Sequence, residues 1–422
     1  MLAVNFIGTL GYSLVVPFLV YIVARFGGNE VIYGILGATY SFFQLFGAPI
    51  LGKYSDIYGR RKVLFISQLG TLLSWVLFFV TLLIPVSTLM KVDSEWGGSF
   101  LLTVPLLLLF VARGLDGLTG GNISVATAYV VDISSEKERD KNMGRMALST
   151  NLGFILGPLI AGLLGATILA EKLPVIVAIV ISFVGLLAIV FYLPELTPTK
   201  LNGPPCGSPT RRVLGAEPKD CFDKRTNQNS LPGLAKIQGI PLMFGLYFLI
   251  FLAFNTFYAT FPIHALKALE WKTEQLGVFF AVLSGTMVVV QGPVLGYLNS
   301  HFSRRTLFTA GSILMFASFY CFSVVNIVAA YSGAVLFALG NGIMWPSFMA
   351  LLAGIGPADT KGYIQGVAAG IGSFASILGL IIGGLVYARW QGTVFIAGGI
   401  IFLICFLTAF FIHETENNSQ EK

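Results

Sequence analysis

The chain has 422 residues, of which 55% are apolar and only 11% are charged, with a formal net charge of +6. Soluble domains carry about 25% charged residues, so a soluble fold of this size would lack the charge to cover its surface. These numbers exclude a soluble enzyme, a nucleic-acid-binding protein and a disordered chain.

Apolar segments of the length needed to cross a bilayer, about 20 residues, recur twelve times along the chain. Six lie near 3–25, 31–51, 63–85, 103–131, 142–168 and 174–193, and six more near 239–263, 275–298, 306–328, 331–353, 363–388 and 391–412. The first span has no basic n-region and no small-residue cleavage site, so we interpret it as a retained helix. The sequence therefore predicts an all-α, multi-pass integral membrane protein with twelve transmembrane helices.

A polar segment divides these spans into two groups of six. Residues 194–238 are rich in Pro, Gly and charge, a composition that cannot bury enough apolar surface to fold alone. We predict an N-terminal six-helix bundle over 1–193, a cytoplasmic linker loop over 194–238, a C-terminal six-helix bundle over 239–412 and a cytoplasmic tail over 413–422.

The distribution of basic residues predicts the orientation. An even number of spans places both termini on one side of the membrane. If that side is cytoplasmic, the cytoplasmic loops hold 19 of the 26 Lys and Arg residues and the outer loops hold 6. Because cytoplasmic loops are enriched in Lys and Arg, both termini are predicted to be cytoplasmic.

The two halves of the chain repeat each other at an offset of 244 residues. The segment from Pro49 to Lys62 reads PILGKYSDIYGRRK, and the segment from Pro293 to Thr306 reads PVLGYLNSHFSRRT. Parallel six-span repeats are a transporter architecture, with the substrate site near the membrane midplane.

The first copy of this motif resembles the signature of the major facilitator superfamily, and the resemblance covers the whole chain. It implies two pseudo-symmetric six-helix bundles and an inner gate that holds the cytoplasmic side closed in the outward-open state. The matching residues here are Gly52, Asp56, Gly59, Arg60, Arg61 and Asp132. A basic loop set by the orientation rule alone is the alternative.

Each part of this inner-gate motif has an expected role. Gly52 would let the loop approach a neighbouring helix closely. Asp56 would face a helix N-terminus in the other half, where negative charge is favoured, and Arg60 would pair with Asp132. In the second copy Ser300 stands where Asp56 would be, so the gate is predicted to be asymmetric.

The fifth span carries a second motif, formed by Gly144, Gly153, Gly157, Pro158 and Gly162. It resembles the antiporter signature of the drug-efflux branch of the superfamily, the twelve-span, tetracycline-efflux-like drug:proton antiporters. Small residues let membrane helices pack closely, and the Gly157-Pro158 pair permits a bend. Span 11 has Leu380 in place of the proline. Ordinary small-residue packing is the alternative.

Two charged residues, Arg113 and Asp116, lie well inside the fourth span. A lone charge at a helix centre costs about 2.5–3.5 kcal/mol on insertion scales, whereas residues three apart share a helix face and can neutralise each other. Arg113 matches the span-4 arginine that the family links to proton coupling, which would make Asp116 the proton acceptor. A static pair that only fixes helix packing is the alternative, because span 1 offers Asn5 where many such antiporters carry an acid.

The resemblance also implies a central cavity built mainly from spans 1, 4, 7 and 10. The polar and aromatic candidates for the substrate cavity are Asn5, Tyr12, Tyr40, Gln44, Asn255, Tyr258, Asn341 and Trp345. Interhelical hydrogen bonding is the alternative role for each of them. Aromatic rings and uncharged polar groups suit a lipophilic or amphipathic compound, whereas a phosphate-type substrate would require several Arg or Lys in the cavity.

The leading hypothesis is a secondary active transporter that exports such a compound by alternating access in exchange for protons, and the resemblance implies drug efflux and drug resistance. The alternative is an uncoupled or symport-type uptake facilitator for a small metabolite. An enzyme is not expected, because no HExxH or GxSxG motif occurs, and the four cysteines show no CxxC spacing. No cofactor, metal or nucleic acid is predicted. The resemblance implies a monomer in an inner, bacterial-type cell membrane.

Overall fold

A computed structural model describes residues 1–15, 18–95, 97–120, 122–134, 136–165, 167, 172–195, 237–355 and 361–411. The N-terminal half of this described chain contains α1 (Leu2–Val15), α2 (Leu19–Arg25), α3 (Glu30–Tyr58), α4 (Arg60–Thr81), β1 (Thr88–Ser94), β2 (Gly98–Thr103), α5 (Val104–Thr119), α6 (Asn122–Ile133), α7 (Glu136–Gly165) and α8 (Lys172–Tyr192). The predicted tail and residues 196–236 of the predicted linker lie outside the described residues.

The C-terminal half contains α9 (Ile240–Lys267), α10 (Thr273–Val289), α11 (Leu295–His301), α12 (Arg304–Ser323), α13 (Ile327–Gly354), α14 (Lys361–Trp390) and α15 (Thr393–Ala409). A π-helical turn, Val290–Val294, joins α10 to α11 and contains Pro293, which cannot donate a backbone hydrogen bond. The predicted α-helical architecture is confirmed.

By length and composition, the described residues contain ten helical segments able to cross a membrane, and eleven if the bent pair α1 and α2 is one span. The axes of α1 and α2 differ by 44°, and the apolar helix α15 has 17 residues. With α15 these segments correspond to the twelve predicted spans. Segments of this kind suit a bilayer because a helix satisfies its own backbone hydrogen bonds.

Several helices begin where a polar side chain caps the first turn. Asn29 accepts a hydrogen bond from Ile32 N at the start of α3, and Asn326 accepts from Val328 N at the start of α13. Ser303 accepts from Thr306 N at the start of α12. These caps satisfy amide groups that the helix leaves unpaired, which fixes where the long apolar segments begin.

A β-hairpin between α4 and α5 was not predicted from the sequence. Strands β1 and β2 pair antiparallel, and several hydrogen bonds hold the hairpin on the turn between α2 and α3. The Asn29 amide donates to Gly97 O at 2.6 Å, and Leu101 N donates to Gly27 O at 2.8 Å. A hydrogen bond from Ser99 and the neighbouring Lys91 hold the pKa of the exposed Asp93 carboxyl below its usual range.

The chain divides into two compact units. The first comprises Met1–Asp223 and Trp271–Ala281, and the second comprises Lys224–Glu270 and Val282–Lys422. The boundaries of the two bundles stay predictions, because the structure describes little of the predicted linker. In addition, the start of α10 groups with the first unit.

In the first unit, α1 packs on α7 and α8, and α5 packs on α3 and α4. The second unit is built on contacts of α12 with α13 and α15, and of α9 with α14. Its core is aromatic: the rings of Phe257 and Phe337 have centroids 4.7 Å apart, and those of Phe257 and Phe322 are 5.0 Å apart. Stacked and tilted rings of this kind contribute beyond their buried area.

Candidate functional site

The charge pair predicted in span 4 lies inside the first unit on α5. Nη1 of Arg113 is 3.5 Å from Oδ2 of Asp116, and both side chains are buried. Thr71 of α4 adds a hydrogen bond to the Asp116 carboxylate. A buried pair with an additional hydrogen-bond partner compensates part of its desolvation, so the protein can hold both charges inside the span.

Two further predicted residues complete this cluster from α3. The Cζ atom of Arg113 is 4.9 Å from the centre of the Tyr40 ring, which places the cation over an aromatic face. The Gln44 amide donates to the Tyr40 hydroxyl at 3.0 Å and to Gly120 O at 3.1 Å. The structure therefore brings the predicted charge pair together with two predicted cavity residues, and we call Tyr40, Gln44, Arg113 and Asp116 the charge cluster.

Asn5 lies elsewhere in the first unit, between α1 and α7. Its amide donates to Thr150 Oγ1 at 2.7 Å and to Met146 O at 3.3 Å, and the residue is buried. Asn5 thus joins two helices in this structure, and its role in a substrate cavity stays a prediction. The side chain of Tyr12 lies outside the described part of the chain.

Trp345 of α13 is the centre of an aromatic cluster in the second unit. Its ring centroid is 5.3 Å from Phe251, 5.5 Å from Tyr247, 5.9 Å from Phe348 and 6.4 Å from Phe254. Tyr247 and Phe251 stack at 4.8 Å, one helical turn apart on α9. The sequence reasoning missed Tyr247 and Phe348, although the four-residue spacing of Tyr247 and Phe251 was a signal for a shared face.

The other predicted cavity residues of the second unit lie near this cluster in sequence, with varied contacts. Asn255 donates to Ser376 Oγ at 2.9 Å and so joins α9 to α14. The amide of Asn341 is 3.9 Å from Met287 Sδ, and the Tyr258 ring is 5.5 Å from Phe257. The substrate role of each of these residues stays a prediction.

The inner-gate motif forms an ion pair at the end of α6. Nε of Arg60 is 2.8 Å from Oδ2 of Asp132, and Nη1 of Arg60 donates to Ser55 Oγ at 2.6 Å. A Cβ at Gly52 would meet nothing within 4 Å, so the close approach expected at this glycine is absent from the described residues. The side chain of Asp56 lies outside them.

Glu195 belongs to the same region and was missed. Its Oε1 accepts a hydrogen bond from Arg61 N at 3.2 Å, while the Arg61 guanidinium donates to Val190 O at the end of α8. Gly59, with φ +102°, leaves the space that the Glu195 carboxylate fills. The only signal was the position of Glu195 just after an apolar span, which is a common place for any charged residue.

The antiporter motif lies along α7. Cβ atoms at Gly153 and Gly157 would collide with Thr9 and Ser13 of α1, and Ser13 Oγ donates to Gly153 O at 2.9 Å. Pro158 lies buried within the helix.

The two ends of the motif differ in their surroundings. A Cβ at Gly162 would collide with Gly277 O of the same unit, whereas one at Gly144 would meet nothing within 4 Å. Close helix contact thus explains three of the four glycines.

Comparison with known proteins supports one family. The sequence model described as Major Facilitator Superfamily matches residues 1–290 and 243–422. The chain is similar to the tetracycline resistance protein, class C, of Escherichia coli, with 26% identity over 413 residues that cover 94% of this chain and 92% of that protein.

The fold is shared with solved structures of transporters. A D-xylose-proton symporter superposes with a TM-score of 0.72 at 15% identity, covering 98% of this chain and 97% of its own. The human organic anion transporter MFSD10 (TETRAN) superposes with a TM-score of 0.64 at 18% identity, covering 97% of both chains.

Proposed function

The chain belongs to the major facilitator superfamily of transporters, and on that premise we propose that it exports a lipophilic or amphipathic small molecule in exchange for protons. The similarity to tetracycline resistance proteins over nearly the whole chain supports the efflux direction. The proposal includes cytoplasmic termini, an inner cell membrane and a monomer that works by alternating access.

The observation that carries the proton part of the proposal is the buried Arg113–Asp116 pair. A proton added to the Asp116 carboxylate would neutralise it and leave the Arg113 guanidinium charged. The face of the Tyr40 ring then offers this cation a remaining partner inside the span. The charge cluster therefore contains both a proton-accepting oxygen and a group that stabilises the protonated state.

The substrate part rests on the aromatic cluster around Trp345. Offset and edge-to-face rings attract flat aromatic molecules, and Trp gives the strongest attraction to a cation. Asn255 on α9 and Asn341 on α13 supply side-chain amides on the two helices that carry the rings of the aromatic cluster. Such a surface favours a lipophilic compound with an aromatic ring or a delocalised positive charge.

One observation favours a second candidate, an uncoupled or symport-type carrier of a small metabolite. Within the described residues of the second unit, Glu270 is the sole Asp or Glu, and it lies beyond the end of α9. If Arg113 and Asp116 only neutralise each other, the described spans offer few other groups for proton coupling.

The two candidates are separated by transport into liposomes that enclose a pH-sensitive dye. Purified protein would be tested with tetraphenylphosphonium, ethidium and tetracycline across an imposed pH gradient. Exchange predicts proton movement that depends on the added compound and is lost in Asp116→Asn. Transport that ignores the gradient would instead support the carrier. If none of the three compounds moves and none binds, the proposed substrate class is wrong.

A further inference from the structure

The two copies of the repeated motif use their second arginine alike. Arg61 donates to Val190 O at the end of α8, and Arg305 donates to Phe410 O just after α15 at 2.6 Å. In both halves this arginine binds a carbonyl at the C-terminus of the last helix of its half, where a helix leaves carbonyl groups unpaired. The copies are therefore equivalent in structure as well as in sequence at this position.

The first arginine of each motif differs in its partner. Arg60 binds the carboxylate of Asp132 near the C-terminus of α6. Arg304 reaches the corresponding end of α13, where among the described residues it donates only to Ala350 O, at a long distance of 3.4 Å. Residues 346–355 of that end contain no acid. Among the described contacts, the Arg304 charge has a carbonyl where the Arg60 charge has a carboxylate.

A cavity of about 240 Å³ lies beside Arg304 and is lined by Asn299, Arg304, Pro346, Ser347 and Ala350. The Asn299 amide makes no hydrogen bond to any other described residue, so it adds a free donor to the guanidinium. Arginine presents planar, paired N–H groups that match the oxygens of a phosphate or carboxylate. Both the space and the donors for an anion are thus present.

The surroundings of the cavity are positive. Arg305 follows Arg304 in the chain, and the described acid of the second unit, Glu270, follows the far end of the 28-residue helix α9. Exposed aromatic residues, Tyr297 and Phe302, lie on the same segment. Basic pockets with neighbouring aromatic rings at the cytoplasmic membrane surface are typical sites for anionic headgroups.

We propose that the Arg304 cavity binds a phosphate group, which takes the place that the Asp132 carboxylate holds against Arg60. The phosphate comes either from the headgroup of an anionic phospholipid or from a soluble phosphate. The second half of the transporter thereby completes its inner motif with a ligand, whereas the first half completes it with its own side chain.

The test is a titration of the full-length protein in detergent, followed by native mass spectrometry. The probes are dioctanoyl phosphatidylglycerol, dioctanoylglycerol, which lacks the phosphate, and inorganic phosphate. Wild-type protein should bind the phosphatidylglycerol and not the dioctanoylglycerol. Arg304→Gln should weaken that binding about tenfold to a hundredfold, since it removes charged hydrogen bonds, and Arg389→Gln should leave it unchanged as a matched loss of charge elsewhere.

A second variant covers the case in which Arg304→Gln does not fold. Ala350→Phe keeps the arginine but fills the cavity, and it should also abolish the binding. Competition by millimolar inorganic phosphate would identify a soluble phosphate as the source, and lack of competition would identify the lipid headgroup. Binding that both variants retain, or that dioctanoylglycerol matches, would overturn the proposal.

Asp359 lies outside the described residues and gives the remaining control. If wild-type protein binds no phosphate probe and Asp359→Asn does, then Asp359 is the partner of Arg304 and the proposal is wrong. If Asp359→Asn and wild type bind the phosphatidylglycerol alike, the ligand is the partner, as proposed.

Discussion

Glu195 lies directly against Gly59, in the space that any side chain at position 59 would need. Its carboxylate also accepts a hydrogen bond from the Arg61 amide, which opens the first turn of α4. A carboxylate is favoured at this end of a helix because the unpaired amides carry partial positive charge. The contact therefore ties the start of the predicted linker to the inner-gate motif.

This contact predicts that Gly59→Ala destabilises the protein. The backbone at Gly59 has φ +102° and ψ +143°, a conformation that costs other residues about 1–3 kcal/mol, and the new Cβ would displace Glu195. Denaturant unfolding in mixed micelles should show a loss of this size. Gly52→Ala is the matched control, since its Cβ meets nothing within 4 Å; equal losses in the two variants would contradict the assignment.

The Arg113–Asp116 pair allows the coupling and static hypotheses to be separated by a double-mutant cycle. Removing one partner leaves an unpaired buried charge, so Arg113→Gln should cost about 3–5 kcal/mol of stability, and the double variant Arg113→Gln/Asp116→Asn should recover much of it. Both hypotheses share this expectation, because both require the pair.

Transport distinguishes them. If Asp116 carries the proton, the double variant folds and binds substrate but cannot move it against a gradient. If the pair is static, the stable double variant transports uphill as well as wild type. Measurement of substrate accumulation in liposomes with and without a pH gradient decides between the two, and unchanged uphill transport would remove Asp116 from the proton pathway.

The parts of the site that the sequence predicted are those whose chemistry is local or repeated. Arg113 and Asp116 are three residues apart on one helix, so their pairing follows from helical spacing. The Arg60–Asp132 pair came from a resemblance. Glu195 could not be predicted, since it meets Arg61 across 134 residues of chain, and neither could the hairpin at 88–103, which lies in the outer loop between the third and fourth predicted spans.

Asn5 illustrates why a polar residue in a span is ambiguous. Its position on span 1 fits a cavity, yet the structure gives its amide to Thr150 and Met146. Asn5→Ala should therefore lower stability by about 1 kcal/mol, the order found for interhelical hydrogen bonds in membranes, without changing substrate affinity. Thr150→Val should give a similar loss, and the two should not be additive.

Equilibrium unfolding of the two single variants and the double variant, together with substrate binding, would check this assignment. A fall in substrate affinity in Asn5→Ala at unchanged stability would instead support a role for Asn5 in the substrate cavity. The pair of readouts matters because a cavity residue and a packing residue both reduce transport when they are replaced.

Trp345 gives the sharpest test of substrate recognition, because four rings hold its position. Replacing it by Ala removes a stacking and cation-binding surface, and the apparent affinity for a lipophilic cation should fall about tenfold. Trp345→Phe keeps an aromatic ring that attracts cations less strongly than Trp, so its affinity for tetraphenylphosphonium should fall less than that of Trp345→Ala. The affinity for tetracycline should differ less between wild type and Trp345→Phe. Equilibrium dialysis measures both compounds, and Trp390→Ala, at an exposed tryptophan, is the control. Equal affinities in Trp345→Ala and wild type, with the fold intact, would place recognition away from the aromatic cluster, because a direct contact of this size cannot be lost without weakening binding.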